Sequence, residues 1–416
     1  MQVYVLDKKN MPLMPCGSRK ARLLLKQGKA IIVKRTPFTV KLLFGSSGYK
    51  QDITLGVDAG SKFIGLSATT EATELFLAEV ELRNDIVKLL STRRENRRTR
   101  RNRLRYRKAR FNNRRRGNKW LAPSVRHKVD THLNVVKQVN QILPITKTIV
   151  EVASFDIQKI KNPTIEGKEY QQGEQLDFWN VREYVLFRDN HKCQHCKGKS
   201  KDKILNVHHI ESRKTGGNAP NNLITLCETC HNKHHKGEIE LKIKRGKSFK
   251  DATFMGIMRW SFYNELKKTY LNVSLTYGYI TKNTRISNNL QKEHRIDARC
   301  ITGNPMVKAS ENWYYFKKVR CHNRQIHKAN ILKGGKKKLN QASFEVKGFR
   351  LFDKVKYEGE EYFIFGRRNS GFFDIRKLDG TKINKGSVSC KKLKLIENRK
   401  IILCERRKQE VYLGNP

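Results

Sequence analysis

The chain has 416 residues, with 88 Lys+Arg against 38 Asp+Glu and a formal charge of +50. At about 150 residues per domain, this length predicts two to four domains. A hydrophobic fraction of 38% suffices for real cores and excludes a wholly disordered basic tail, while a charge of +50 calls for a polyanion; nucleic acid fits best, because counterion release favours its binding.

No run of 18 apolar residues occurs, so no membrane-spanning helix is expected. The opening Met1-Gln2-Val3-Tyr4-Val5-Leu6-Asp7 has neither a basic stretch nor a long apolar one, which predicts a cytoplasmic rather than a secreted protein. Nine cysteines, four of them in two CxxC pairs, predict metal binding rather than a disulfide framework. Cys16, Cys300, Cys321, Cys390 and Cys404 read as small apolar residues.

In chain order, residues 1–50 read as a small α/β unit. Val3–Leu6 is a strand, Pro12-Leu13-Met14-Pro15 a stiff turn, and Ser18 the cap of a short basic helix ending near Gly28. Ala30–Val33 and Phe38–Phe44 read as strands, and Gly45–Gly48 as a linker. Ile53–Val57, Phe63–Ser67 and Leu75–Val80 predict a three-strand meander that opens a mixed sheet.

Arg93–Arg116 holds 13 arginines, one lysine and a single acid, Glu95. Arginine is a good helix former, so one helix about 36 Å long is expected, with almost no apolar stripe to hold it in a core. The arginines are Arg93, Arg94, Arg97, Arg98, Arg100, Arg101, Arg103, Arg105, Arg107, Arg110, Arg114, Arg115 and Arg116. An amphipathic helix is expected over 127–143, a buried strand at Thr148–Val152, another strand at Ser274–Tyr279 and a helix at Glu293–Ile301. Beyond 310 the chain is basic and then strand-rich. Phe349–Val355, Glu361–Gly366, Phe372–Leu378 and Val388–Leu395 predict a small β-barrel.

Two knuckles, Cys193-Gln194-His195-Cys196 and Cys227-Glu228-Thr229-Cys230, offer four thiolates suited to tetrahedral zinc. The gap between them exceeds the usual ribbon spacing. It carries Val207-His208-His209-Ile210, then Gly216-Gly217 and Asn221-Asn222-Leu223, and His231-Asn232-Lys233-His234-His235 follows the second knuckle. This stretch resembles an HNH nuclease, the ββα-metal fold. The resemblance implies His209 as the general base that activates water. It implies His208, His231 and His235 as ligands of one catalytic magnesium, and Asn222 as a brace for the hairpin. His231 and His235 are four apart and share a helix face. His208 departs from the aspartate found there in CRISPR type II effectors. His195 and His234 read as bystanders, and a zinc-stabilised binding module is the plainer alternative.

Asp58 ends one apolar strand, Glu151 ends another, and Asp297 lies in His294-Arg295-Ile296-Asp297-Ala298. A strand-end acid is usually a cap or turn residue. Three of them beside apolar elements could instead converge at one sheet edge and hold two magnesium ions, which would clamp the oxygens of a phosphodiester. His294 and Asp297 share a helix face. This pattern resembles a RuvC nuclease of the RNase H fold, split in three.

The order of RuvC, Arg-rich helix, RuvC, HNH and RuvC is similar to that of IscB, the transposon-encoded relative of the CRISPR type II effectors. Pro12-Leu13-Met14-Pro15 matches the motif of that family's N-terminal domain, and Arg324-Gln325-Ile326-His327-Lys328-Ala329-Asn330 resembles the stretch after its third RuvC piece. Asp58-Ala59-Gly60 departs from the common Asp-Pro-Gly but keeps the acid. The resemblance implies an α/β multidomain protein: a PLMP domain over 1–50, RuvC pieces at 51–92, 118–175 and 246–306, and a bridge helix at 93–117. HNH would occupy 176–245, and a domain contacting RNA and the target-adjacent motif 307–416. It also implies a guide (omega) RNA and a double-stranded DNA target. The protein would be a monomer in a ribonucleoprotein, with HNH cutting the guide-paired strand and RuvC the displaced one. The arginine helix and the basic run from His327 to Lys338 would lie on RNA phosphates. Two other readings stay open: a protein-only homing or resolving-type nuclease, and a non-catalytic RNA-binding protein.

Overall fold

The computed structural model describes residues 2–46, 48–104, 121–152, 178, 180–212, 218–241, 243, 250–320 and 343–409. It divides into two compact units, Met1–Ala153 with Ile257–Pro416, and Ser154–Gly256.

The first unit opens with β1 (Gln2–Leu6), β2 (Pro12–Gly17), α1 (Ser18–Lys26), β3 (Ala30–Lys34) and β4 (Thr39–Leu42), in a sheet of order β2-β1-β4-β3. The expected turn at Pro12–Pro15 is therefore a strand. It tolerates two prolines because it is an edge strand, and because Pro15 falls where the register jumps between Val3↔Cys16 and Val5↔Leu13. Gly17, not Ser18, caps α1, and no side chain bonds the helix start. Gly28, at φ +67, turns the chain out of the helix.

The meander follows as β5 (Thr54–Ala59), β6 (Phe63–Thr69) and β7 (Glu74–Glu81). Its alternation of apolar and small residues is fully buried, with Leu55, Val57, Ile64, Leu66 and Leu77 sealed from solvent. Then come α2 (Ile86–Leu104), α3 (Pro123–Asn140) and β8 (Lys147–Val152). The arginine-rich helix thus begins at Ile86, seven residues earlier than its charge suggests, on a short apolar lead-in. Its expected continuation through Arg105, Arg107, Arg110, Arg114, Arg115 and Arg116 lies outside the described residues. The next helix starts at Pro123, where a missing N–H costs nothing.

The second unit carries α4 (Val181–Arg188), β9 (Leu205–His209), β10 (Leu223–Cys227) and α5 (Glu228–His235). Next come α6 (Lys250–Thr269), β11 (Val273–Tyr277), α7 (Gly278–Ser287), α8 (His294–Ile301) and β12 (Asn312–Lys318). Neither α6 nor α7 is anticipated from sequence. Met258, Phe262 and Leu266, four apart on α6, are fully buried, and Phe262 packs on His132 of α3 with ring centroids 5.1 Å apart.

The tail holds β13 (Glu345–Val346), β14 (Phe349–Arg350), β15 (Lys354–Tyr357), β16 (Glu360–Arg367), β17 (Phe372–Arg376), β18 (Val388–Ser389), β19 (Lys394–Glu397) and β20 (Ile402–Lys408). Five of these form a sheet of order β18-β17-β16-β15-β19 over a core of Val355, Tyr357, Ile364, Phe373 and Ile375. No ladder joins its two edge strands among the described residues, so the expected barrel closure does not appear in the pairing. β20 leaves this sheet and pairs with β12.

The central sheet has seven strands in the order β11-β8-β5-β6-β7-β12-β20. β11, β8 and β5 run parallel and β5, β6 and β7 antiparallel, so it is the mixed sheet that the meander foreshadows. It is assembled from both ends of the chain, with the second unit inserted between β8 and β11.

Candidate active sites

Parallel strands present their carboxyl ends at the same edge of a sheet, where ligands of open α/β sheets collect. β5 and β8 do so here. Val57 pairs with Val150, and the next residues are Asp58 and Glu151. Both acids are buried, at 5% and 7% exposure.

α8 is brought over this edge by two glycines. Gly56, Asp58 and Gly65 lie on one face, since Asp58 pairs with Gly65 and strand side chains alternate. A Cβ at Gly65 would sit 1.8 Å from the His294 carbonyl oxygen, and one at Gly56 would sit 2.1 Å from that of Ala298. Only glycine lets the helix backbone approach the strands so closely. His294, in the first turn of α8, therefore reaches Asp58, with Nδ1 2.5 Å from Oδ2. That bond raises the imidazole pKa above its usual value, against the opposing effect of burial.

Asp58 and Glu151 share one guanidinium. Arg259 of α6 places NH1 3.1 Å from Glu151 Oε1 and NH2 3.7 Å from Asp58 Oδ1, and its Nε donates to the Ala59 carbonyl at 2.8 Å. Burial, and then the neighbouring Asp58, push the Glu151 pKa up. A Cβ on Gly278, at the start of α7, would lie 3.2 Å from Glu151 Oε1, so the carboxylate is walled on that side by backbone. Asp297 is paired with Arg285 Nε at 2.9 Å, and its pKa is raised by burial and then by Asp58. The three carboxylates thus feel one another but do not close to within 4.8 Å, which is looser than the convergence expected from sequence. Sequence reasoning missed Arg259 and Arg285.

Carboxylate oxygens are hard donors that suit magnesium, and the Arg259 guanidinium already sits as a cation between two of them. Asp58 and Glu151 therefore fit the oxygen-ligand role, and Asp297 stands apart from them on Arg285.

The second unit holds the other constellation. β9 and β10 pair antiparallel, His208 with Ile224 and His209 with Leu223, and α5 follows directly. Cys193, Cys196, Cys227 and Cys230 bring their sulfurs within 4.8 Å of one another, the geometry of a zinc knuckle pair. Gln194 N donates to Thr225 O at 2.9 Å, which ties the first knuckle to β10. Burial opposes ionisation of Cys196, but hydrogen bonds from Ser200 and the backbone outweigh it and lower the thiol to about 5.

His208, His231 and His235 form a second ligand set within 4.8 Å. The His231 and His235 Nε2 atoms are 3.2 Å apart on one face of α5. Burial, and then the neighbouring imidazoles, hold His208 down at about 4, and burial with His235 lowers His231. Both are then neutral near pH 7, the form that ligates a metal. His234 stacks edge-on to His208 at 4.9 Å and faces the Ile239 carbonyl with Nδ1 at 3.2 Å.

His209 is next to His208 on β9, so its side chain leaves from the opposite face. Its Nε2 lies 3.0 Å from Asn218 Oδ1, a contact that favours the Nε2–H tautomer of the neutral ring and would leave Nδ1 as the acceptor. Asn222 is fully buried, and its amide makes both bonds of a clamp on Glu211, accepting from N at 2.9 Å and donating to O at 3.0 Å. Ile210 N donates to the Asn222 carbonyl at 2.9 Å. Asn222 thus ties the two sides of the hairpin beyond His209 together through its side chain and its backbone.

Residues 3–173 match the family model described as RRXRR protein, and residues 193–237 match that described as HNH endonuclease. The HNH match falls on the knuckles, both hairpin strands and α5. Anaredoxin of Nostoc sp. is 46% identical over 41 residues, 10% of this chain and 54% of that protein, so the chain spans about half the length of the curated relative it matches. The crystal structure of Streptococcus thermophilus Cas9 in complex with the GGAA PAM is similar at a TM-score of 0.31 and 13% identity, covering 51% of this chain and 30% of that one. The chain carries an HNH endonuclease domain, and the two family models in this order fit an IscB-like nuclease. No helix among the described residues is long and apolar enough to cross a membrane.

Proposed function

We propose that the protein is an RNA-guided DNA endonuclease that cuts the two strands of its target at two separate centres. The observation that carries this reading is the interruption of one by the other. An HNH domain is inserted between β8, which bears Glu151, and α8, which bears Asp297, so the pieces of an acidic sheet centre flank it in sequence.

At the sheet centre, Asp58, Glu151 and Asp297 would hold two magnesium ions. Bound there, magnesium supplies charge stabilisation to the attacking and leaving oxygens of the phosphodiester. Asp58 orients His294 and keeps it protonated to higher pH, so this imidazole can hand a proton to the leaving oxygen. Arg259, which bridges Asp58 and Glu151, would balance their charge and could pair with the phosphate. At the HNH centre His209 Nδ1 accepts a proton from water, and the Asn218 and Asn222 contacts fix its ring and strand.

Guide RNA would supply sequence recognition, with the arginines of α2 on its phosphates. Arg93, Arg94 and Arg97 are exposed, as that role requires. The protein would act as a monomer in a ribonucleoprotein, on double-stranded DNA in a prokaryotic cytoplasm. The residue range 307–416 would read the target-adjacent motif through its five-stranded sheet. The second candidate RNA surface, from His327 to Lys338, lies outside the described residues, as does Arg324–Asn330.

The test is strand-resolved cleavage by protein purified with the RNA encoded beside its gene. Asp58→Ala is expected to nick only the guide-paired strand, and His209→Ala only the displaced strand. Loss of both cuts in either single variant would overturn the two-centre assignment, and cleavage of a defined site without RNA would overturn the guide.

A further inference from the structure

Three imidazoles meet in the second unit without an oxygen ligand. His208, His231 and His235 are the whole set within 4.8 Å, and no aspartate or glutamate joins them among the described residues. This matters because magnesium is a hard cation. It takes oxygen donors in near-ideal octahedral geometry and gives up its waters reluctantly. Three imidazole nitrogens offer it neither an anionic ligand nor an oxygen. Imidazole instead suits zinc, cobalt, nickel, copper and iron. Three protein ligands with a fourth position open is moreover the pattern of a catalytic zinc site.

We propose that His208, His231 and His235 form a site for a divalent first-row transition ion, and that magnesium does not occupy it. The site is prearranged. Cys227 precedes α5 and Cys230 lies within it, so the four-cysteine cluster anchors the helix that carries His231 and His235. Their Nε2 atoms already face each other at 3.2 Å, and the buried His208 ring stands 5.3 and 5.2 Å from theirs. His235 is exposed, which leaves a path from solvent to the open position. The fourth imidazole, His234, has its Nδ1 on the Ile239 carbonyl and stays outside the set. The two centres would then differ in metal, oxygen-bound magnesium at the sheet and a nitrogen-bound transition ion at the hairpin. The inference rests on the HNH reading only for what the ion does, because binding is measured without catalysis.

The experiment titrates cobalt(II) into the full-length protein, with its cysteine cluster filled by zinc, in excess millimolar magnesium. One equivalent is expected to give a visible d–d band without the thiolate charge-transfer band of a cysteine site. Cobalt should bind roughly a hundredfold or more tighter than magnesium, as donor softness dictates. The His231→Ala/His235→Ala variant should lose the band while keeping one zinc by metal analysis. His235→Ala alone, at an exposed position, should weaken binding without loss of helix by circular dichroism. Absence of the band, its removal by magnesium at comparable concentration, or its survival in the double variant would overturn the assignment. Strand cleavage, assayed separately, decides the nuclease reading, so the two can fail independently.

Discussion

Arg259 is the residue on which the sheet centre turns. Two buried carboxylates at adjacent strand ends repel each other unless a cation lies between them, and here one guanidinium serves both. Truncating one partner of such a buried cluster typically costs about 3–5 kcal/mol, because the remaining charges lose compensation. Arg259→Met should therefore lower the melting temperature measured in chelator, and millimolar magnesium should recover most of the loss by replacing one cation with another. An equal deficit with and without magnesium would mean that the arginine acts through packing alone. The acids themselves were legible in sequence. Asp58 and Glu151 each end an apolar run, and His294 and Asp297 sit three apart on a short helix with a buried stripe. Arg259 was not legible, because one arginine among 88 Lys+Arg carries no signal by itself. The stripe of Met258, Phe262 and Leu266 was the available clue, since it makes a helix of that segment and puts Arg259 beside its buried face.

The docking of α8 on β5 and β6 sets the geometry of the sheet centre. Alternation of apolar residues makes the strands readable, and spacing makes the helix readable, but neither says which helix lies on which strand. Gly56 and Gly65 hold that information, as notches that a helix backbone fills. Gly65→Ala would put a methyl carbon inside the His294 carbonyl, and neither backbone can yield without lifting the helix. Overpacking of this kind costs about 1–3 kcal/mol. An ångström of displacement at a catalytic group can cost about a hundredfold in rate. The variant should cut the displaced strand far more slowly and the guide-paired strand at the wild-type rate. Wild-type cutting of both strands would show that α8 tolerates the shift and that the His294–Asp58 bond is dispensable. The same limit of local pattern explains the misread element. Pro12–Pro15 looks like a turn until its place at a bulged sheet edge is known. It also explains why Ile402–Lys408 is not anticipated from sequence at all, since this strand is defined by its pairing with β12.

Across the whole molecule, insertion and charge are the two organising facts. The seven-stranded sheet draws strands from residue 54 to residue 408, and a contiguous piece of about a hundred residues folds as its own unit between two of them. That order was legible, because the cysteine and histidine spacing of the inserted piece is self-contained and the acids on either side are not. Charge was legible as a total but not as a surface, since nothing in a sequence says which basic residues point outward together. α2 resolves part of this. It starts on Ile86, Leu89 and Leu90 and then exposes Arg93, Arg94 and Arg97. If these arginines sit on phosphates, each displaces condensed counterions. The slope of log affinity against log salt should then fall by roughly 0.7–0.9 for each one removed. Replacing all three with glutamine should flatten the slope for the co-purifying RNA by about 2 to 3. Exposed side chains at these positions carry little of the fold, so the melting temperature should hold. An unchanged slope with weaker binding would place them off the backbone, and the +50 charge would then act through other surfaces.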